Sequence, residues 1–273
     1  MIFLNKKQIT VKSVISSIMI LTLLLLGTSC DKKSATTTAK SNKEILIYCG
    51  ITMIRPISEL AAIIEDQEKC KIIITKGGSG NLLKSIVYNK AGDLYLPGSE
   101  RYYKIIDKKY AGLVIDTVFV GYNKAAIMVQ KGNPKNISSD LINLASREYG
   151  VIIGNPESGS IGKEAGKILE KRGILKEVIK NVMSLTTDSK DLVKAIKTKK
   201  ADIVINWFAV SCWDDNPQYM DVIDIKPKYA KKKKLILGRL KFSKHPDLAV
   251  KFMELASSDK GKEIFKKHGF YFE

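Results

Sequence analysis

From residue 45 onward, one pattern recurs along the chain. A short β-branched or apolar run ends in small or hydroxyl residues, and an amphipathic stretch with helical spacing follows. EILIYCGIT leads to IRPISELAAIIEDQ, with Pro56 in the first helical turn, where proline is tolerated. KIIITKGGSG leads to NLLKSIVYNK, whose Leu82, Leu83, Ile86 and Val87 share one face. YGVIIGNPESGS leads to IGKEAGKILEKRG, with Ile161, Ala165, Ile168 and Leu169 aligned and Gly173 placed as a helix stop. VMSLTTDS leads to KDLVKAIKTKK, with Leu192, Val193 and Ile196 on one face, and ADIVINW follows as a further apolar strand. AIMVQKGNP at 126–134 reads as a strand closed by a turn, and KKLILGRLKF near 233–242 as another strand late in the chain. Strands alternating with helices of this length predict βαβ units and mainly parallel sheets. In such sheets ligands bind at the carboxyl ends of the strands, which here are the small, hydroxyl-rich loops.

The first 29 residues break the pattern. A basic start with Lys6, Lys7 and Lys12 precedes the uncharged run VISSIMILTLLLLGTS and then Cys30. This order predicts a secretory signal, and the apolar run is slightly short for a membrane span of about 20 residues. LLGTSC resembles a bacterial lipobox, with Gly27 where leucine is usual; the resemblance implies lipidation of Cys30 and a membrane-anchored, extracytoplasmic protein. Residues 30–44 are polar and aperiodic, as expected of a flexible tether.

Charge changes the picture less than its size suggests. The 273 residues carry a formal charge of +18. Only five of the basic residues are arginine (Arg55, Arg101, Arg147, Arg172 and Arg239), and arginine is the residue suited to bidentate phosphate recognition. Dispersed lysines read as solvated faces, so no nucleic-acid partner is expected. Beyond Cys30, the three cysteines Cys49, Cys70 and Cys212 cannot all pair, and no spacing reads as a zinc site. With only two histidines, both late, neither a histidine-rich metal centre nor a Ser-His-Asp hydrolase is favoured. No catalytic, metal or cofactor residues are assigned.

The loops offer a different chemistry. The first amides of a helix lack intrahelical partners and carry partial positive charge, so a helix start stabilises an anion without a charged side chain. Serine and threonine hydroxyls add donors, and glycine permits close approach. Gly77, Gly78, Ser79 and Gly80 combine these features, as do Ser158, Gly159, Ser160 and Ile161; Thr52 and Ser189 hold equivalent places in the other two loops. Each such residue is also an ordinary helix cap in the blander reading. TKGGSGNLLKS comes within one residue of a nucleotide-binding P-loop, but Leu83 stands where the second glycine belongs. Neither GGSGN nor SGSIG is the G-x-S-x-G of a serine nucleophile. Glu157 and Asp188 lie beside the loops as acceptors for a protonated anion such as hydrogen phosphate.

The order LIYCGIT, TKGGSGNLLKSI, GDLYLPGSERYYKII, GYNKAAIMVQKGNP, GNPESGSIGKEAGKILEKRGIL, TTDSKDLVKAI, ADIVINW and GKEIFKKHGF resembles the molybdate-binding subunits of bacterial ABC importers over residues 45–273. The resemblance implies an α/β, two-lobe periplasmic-binding-protein fold of type II, each lobe a mainly parallel sheet flanked by helices, joined by two crossing strands. It assigns 45–125 and 236–273 to one lobe and 126–235 to the other. It implies a tetrahedral oxyanion, molybdate or tungstate, held by Thr52, Ser79, Ser160, Ile161 and Ser189, with Asn206 where the family has a tyrosine. It also implies an ABC permease as partner and a monomeric, non-enzymatic protein. Arg55 and Lys76 beside the first two loops are expected on the surface. Sulfate, phosphate or another oxyanion is the alternative within the class. An enzyme or a surface lipoprotein on the same fold ranks lower.

Overall fold

In the computed structural model, which describes residues 43–272, the alternation seen in the sequence becomes two five-stranded sheets with flanking helices. The expected signal and lipidated Cys30 lie outside the described residues. The first sheet uses β1 (Glu44–Gly50), β2 (Lys71–Gly77), β3 (Leu94–Leu96), β4 (Val114–Asn123) and β10 (Lys233–Leu240), in the order β2-β1-β3-β10-β4. The second uses β5 (Ala125–Gln130), β6 (Val151–Gly154), β7 (Val182–Thr186), β8 (Ile203–Trp207) and β9 (Met220–Asp224), in the order β7-β6-β8-β5-β9. The two orders match position for position. In each, the one strand antiparallel to its neighbours lies fourth, β10 in the first sheet and β5 in the second. Those are the two strands read from AIMVQKGNP and KKLILGRLKF, and each begins just after the chain has passed from one sheet to the other.

The helices form where the spacing predicts them. In α1 (Ile54–Glu68), Ile57, Leu60, Ala61 and Ile64 are buried on one face, and Lys69 in the left-handed region ends it. Each large aliphatic buried there contributes about 1.5–3 kcal/mol. In α2 (Ser79–Asn89), Leu82, Leu83 and Ile86 are buried while Lys84 is exposed. Leu83 thus anchors the helix to the core, and the P-loop reading fails for the reason its sequence suggests. α4 (Ser160–Arg172) stops at Gly173 with φ 81°, the left-handed geometry that glycine adopts without steric cost. α6 (Ser189–Lys197) buries Leu192, Val193 and Ile196. The chain adds α3 (Arg101–Lys109), α5 (Leu175–Asn181), α7 (Pro246–Ser257) and α8 (Asp259–Lys267).

One core unites β1, β3, β4 and β10 with α1, α7 and α8, and a separate one joins α2 and α3 to the first sheet. A third holds the second sheet with α4 and α6. All five residues of β8 are buried, as expected for an inner strand covered on both faces. Among the described residues no helix is long and apolar enough to cross a membrane.

Candidate functional site

The carboxyl ends of β1, β2, β6 and β7 converge. Gly50 and Gly77 are register partners, as are Gly154 and Thr186, so each pair of loops leaves its sheet at one level. Where the two pairs meet lies a cavity of about 10 Å³, lined among others by Thr52, Ser79, Ser160, Ile161, Asp188 and Ser189. Five of the six residues singled out from the sequence therefore share one wall. All four hydroxyl residues are buried.

Capping does not explain these hydroxyls. Ser79 and Ser160 are the first residues of α2 and α4, and the residues before them, Gly78 and Gly159, give no side-chain cap. Thr52 sits in the 3-10 turn before α1, which also starts without a side-chain cap. At α6 the cap is Asp188, whose Oδ1 accepts from the Lys190 and Asp191 amides at 2.8 and 3.3 Å, so Ser189 is left over.

Instead, the hydroxyls are oriented. Gly98 N–H donates to Ser79 Oγ at 3.0 Å, and the Trp207 indole Nε1–H donates to Ser160 Oγ at 3.1 Å. A hydroxyl has one proton and two acceptor lone pairs. With an acceptor position filled from behind, the proton is free to point into the cavity. Thr52 Oγ1 and Ser189 Oγ approach to 3.4 Å across the two lobes.

Two expectations need correction. Asn206 does not line the cavity. It is fully buried beneath it, its Nδ2 donating to the Ser189 carbonyl at 3.0 Å and its Oδ1 accepting from Trp207 N–H at 2.9 Å. A side chain shorter than tyrosine stays behind the loop and supports Ser189 rather than reaching past it. The Gly80 amide does not face the cavity either. Gly80 and Asn81 N–H both donate to the Ser158 carbonyl of the other lobe, at 3.0 and 3.3 Å. Ser158 in turn donates its hydroxyl to the Thr187 carbonyl at 2.7 Å, tying the two loops of its own lobe together.

The glycines explain how the lobes come so close. A Cβ on Gly78 would meet the Thr187 carbonyl oxygen at 2.8 Å and that of Ser158 closer still; on Gly80 it would lie 2.6 Å from the Glu157 carbonyl oxygen. A Cβ on Gly98 would strike Ser160 Oγ. Gly78 has φ −68°, which any residue adopts, so its requirement is for space between lobes.

Electrostatically the cavity is donor-rich, with one exception. Asp188 is half-buried, and burial pushes its carboxyl above the ordinary value of 3.8 despite the two amides it accepts from. Arg55 and Lys76 are absent from the cavity wall and line a larger chamber beside it. Arg55 pairs with both carboxylate oxygens of Asp214 and lies 5.1 Å from the centre of the Trp213 ring. Cys49, Cys70 and Cys212 are all unpaired, and burial raises the Cys49 thiol pKa. No group of three or more His, Cys, Asp or Glu residues suited to a metal occurs among the described residues. The sequence reading missed Gly98 as a lining residue and Trp207 as a supporting donor. Both act through contacts distant in the chain, and neither carries a local signal.

Two α/β lobes meeting over a small pocket of hydroxyls and helix starts define the two-lobe fold of a periplasmic binding protein. The chain belongs to the bacterial extracellular solute-binding protein family, whose profile matches residues 45–271. It is 25% identical over 255 residues to a Bacillus subtilis (strain 168) protein named "Putative ABC transporter substrate-binding lipoprotein YvgL", covering 92% of this chain and 95% of that one. Its fold is similar to that of the Azotobacter vinelandii periplasmic molybdate-binding protein (TM-score 0.71, 14% identity, covering 84% of this chain and 99% of that one). It is also similar to that of the sulfate-binding protein SubI from Mycobacterium tuberculosis H37Rv (TM-score 0.74, 16% identity, 84% and 86%).

Proposed function

We propose that this protein captures a tetrahedral oxyanion between its lobes and delivers it to the permease of an ABC importer, held at the external face of the membrane by lipid on Cys30. The observation that carries the reading is the set of four buried hydroxyl residues around one cavity, none spent on a helix cap and two oriented by donors from behind. Ser160 and Ile161 at the uncapped start of α4 add backbone donors and helix-dipole charge. The anion enters while the lobes are apart, and the Gly80 and Asn81 bonds to the Ser158 carbonyl close the lobes over it.

Among free anions, a donor set of this kind suits a fully deprotonated dianion (molybdate, tungstate or sulfate), and the family resemblance of the loop motifs favours the first two. Asp188 supports a second reading, in which the anion carries a proton, as hydrogen phosphate does. Its carboxylate is the acceptor such a ligand needs. Calorimetric titration of the purified protein with molybdate, tungstate, sulfate and phosphate tests both. Tight binding of molybdate or tungstate supports the first reading, preference for phosphate the second, and silence from all four overturns the oxyanion function.

A further inference from the structure

Next to the small cavity, and sharing Ile51 with it as a wall, lies a chamber of about 420 Å³. It is lined from both lobes. Arg55 and Lys76 come from the first; Lys190, Lys194 and Lys197 come from α6 of the second; and the Trp213 ring supplies an apolar wall. The chain links the two spaces at two points. Lys76 directly precedes Gly77, and Lys190 directly follows Ser189, each of these neighbours lining the small cavity.

The charges of the chamber are not balanced from within. Arg55 is answered by Asp214, and Lys197 by Asp215 at 2.6 Å. Among the described residues, Lys76, Lys190 and Lys194 have no carboxylate within salt-bridge distance. The placement of the lysines also runs against helix electrostatics. Lys190 and Lys194 are like charges at i,i+4, a destabilising pair on a helix surface. Lys190 stands in the first turn of α6, where the helix dipole disfavours a cation. Asp188 and Asp191 offset the dipole in this turn, but neither lines the chamber, so Lys76, Lys190 and Lys194 face it without a carboxylate partner. Two further donors on this wall, Arg55 Nε and Trp213 Nε1, have no acceptor among the described residues.

We propose that the chamber is a second anion subsite, and that the ligand is a small organic phosphate-type ester carrying a second acidic group. The oxyanion head enters the hydroxyl-lined cavity, and the second anionic group lies among Lys76, Lys190 and Lys194. The short organic spacer passes Ile51 and faces Trp213. This assignment rests on the oxyanion reading of the small cavity and extends it.

The test pairs ligands that differ only in the second charge. Purified protein is titrated calorimetrically with phosphoglycolate against ethyl phosphate and with 3-phosphooxypropionate against propyl phosphate, with inorganic phosphate and molybdate as free anions. The acidic ester of at least one pair is expected to bind about ten- to a hundredfold more tightly, the yield of one charge-assisted hydrogen bond. That advantage should disappear in Lys190→Gln/Lys194→Gln, while affinity for free anions stays nearly unchanged. Both side chains are exposed, so the variant is expected to fold, and its melting temperature checks this. Equal affinity within both pairs, or an advantage that survives the double substitution, overturns the second subsite. Free anions that bind while every ester fails overturn it too and leave the oxyanion reading standing. If no probe binds, both fall.

Discussion

Substituting Gly78 by alanine should separate folding from binding. The residue has φ −68° and ψ 133°, open to alanine, and the clash a methyl group would make is wholly with the other lobe: the Thr187 carbonyl oxygen at 2.8 Å and that of Ser158 closer. Both are backbone atoms, which cannot swing aside as a flexible side chain can. Within its own lobe the substitution is therefore unstrained, and loss of glycine entropy from the unfolded chain stabilises by about 0.4–1 kcal/mol. Between lobes it forces separation. Moving the lobes apart breaks the hydrogen bonds that the Gly80 and Asn81 amides donate to the Ser158 carbonyl. At about 0.5–1.5 kcal/mol each, their loss removes about 1–3 kcal/mol of closure energy. Ligand affinity should fall by about five- to a hundredfold, since each 1.4 kcal/mol is tenfold, and the melting temperature without ligand should hold or rise. Calorimetric titration and thermal unfolding read the two effects separately. Wild-type affinity in Gly78→Ala would show that the ligand is bound without this close approach and would refute the reasoning.

Other outcomes follow from single groups in the site. Ser79→Ala removes a cavity hydroxyl and leaves the Gly98 amide without its acceptor; affinity should drop about ten- to a hundredfold and stability by about 1–3 kcal/mol, measured by titration and denaturant unfolding. Burial raises the Asp188 pKa, so this carboxyl takes up its proton above the ordinary 3.8 and the cavity loses a negative charge as pH falls toward that region. Affinity for sulfate, which keeps its double charge there, should strengthen several-fold on acidification, and Asp188→Asn, which preserves the cap, should flatten the profile. A variant that still tightens on acidification would assign the effect to another group. Cys30→Ser should shift the protein from membrane to soluble fractions, and undiminished membrane association would remove the lipid anchor from the proposal.

The sequence made the strand–helix alternation and the hydroxyl-bearing loops that line the cavity readable because both follow from local rules. A run such as KIIITKGGSG can be a strand ending in a tight loop and little else, and Leu82, Leu83 and Ile86 can face only one core. The short strand β3 and helices α3, α7 and α8 were less plain. Leu94–Leu96 is three residues long, and its pairing with Ile47–Cys49 depends on a partner nearly fifty positions away. Asn206 shows a different limit. A motif aligned to a family places it where a ligand contact is expected. Whether a side chain passes the loop in front of it depends on its length and on which backbone groups claim its amide first, here the Ser189 carbonyl and the Trp207 N–H.

The glycines mark another boundary of what one chain discloses. In the sequence, Gly78 and Gly80 flank Ser79 and read as freedom for a loop to fold around an anion. In the structure neither has positive φ, and both give their space to carbonyl groups of the opposite lobe. The hydroxyls of Ser79 and Ser160 could line a pocket on any single lobe, whereas a missing Cβ that would strike Thr187 or Glu157 has no purpose unless the lobes meet there. The GGSG stretch that resembles a phosphate loop is thus two devices interleaved. In the proposed function Ser79 presents a donor to the ligand, and Gly78 and Gly80 let the other lobe approach closely enough for Ser158 to accept the amides beside it.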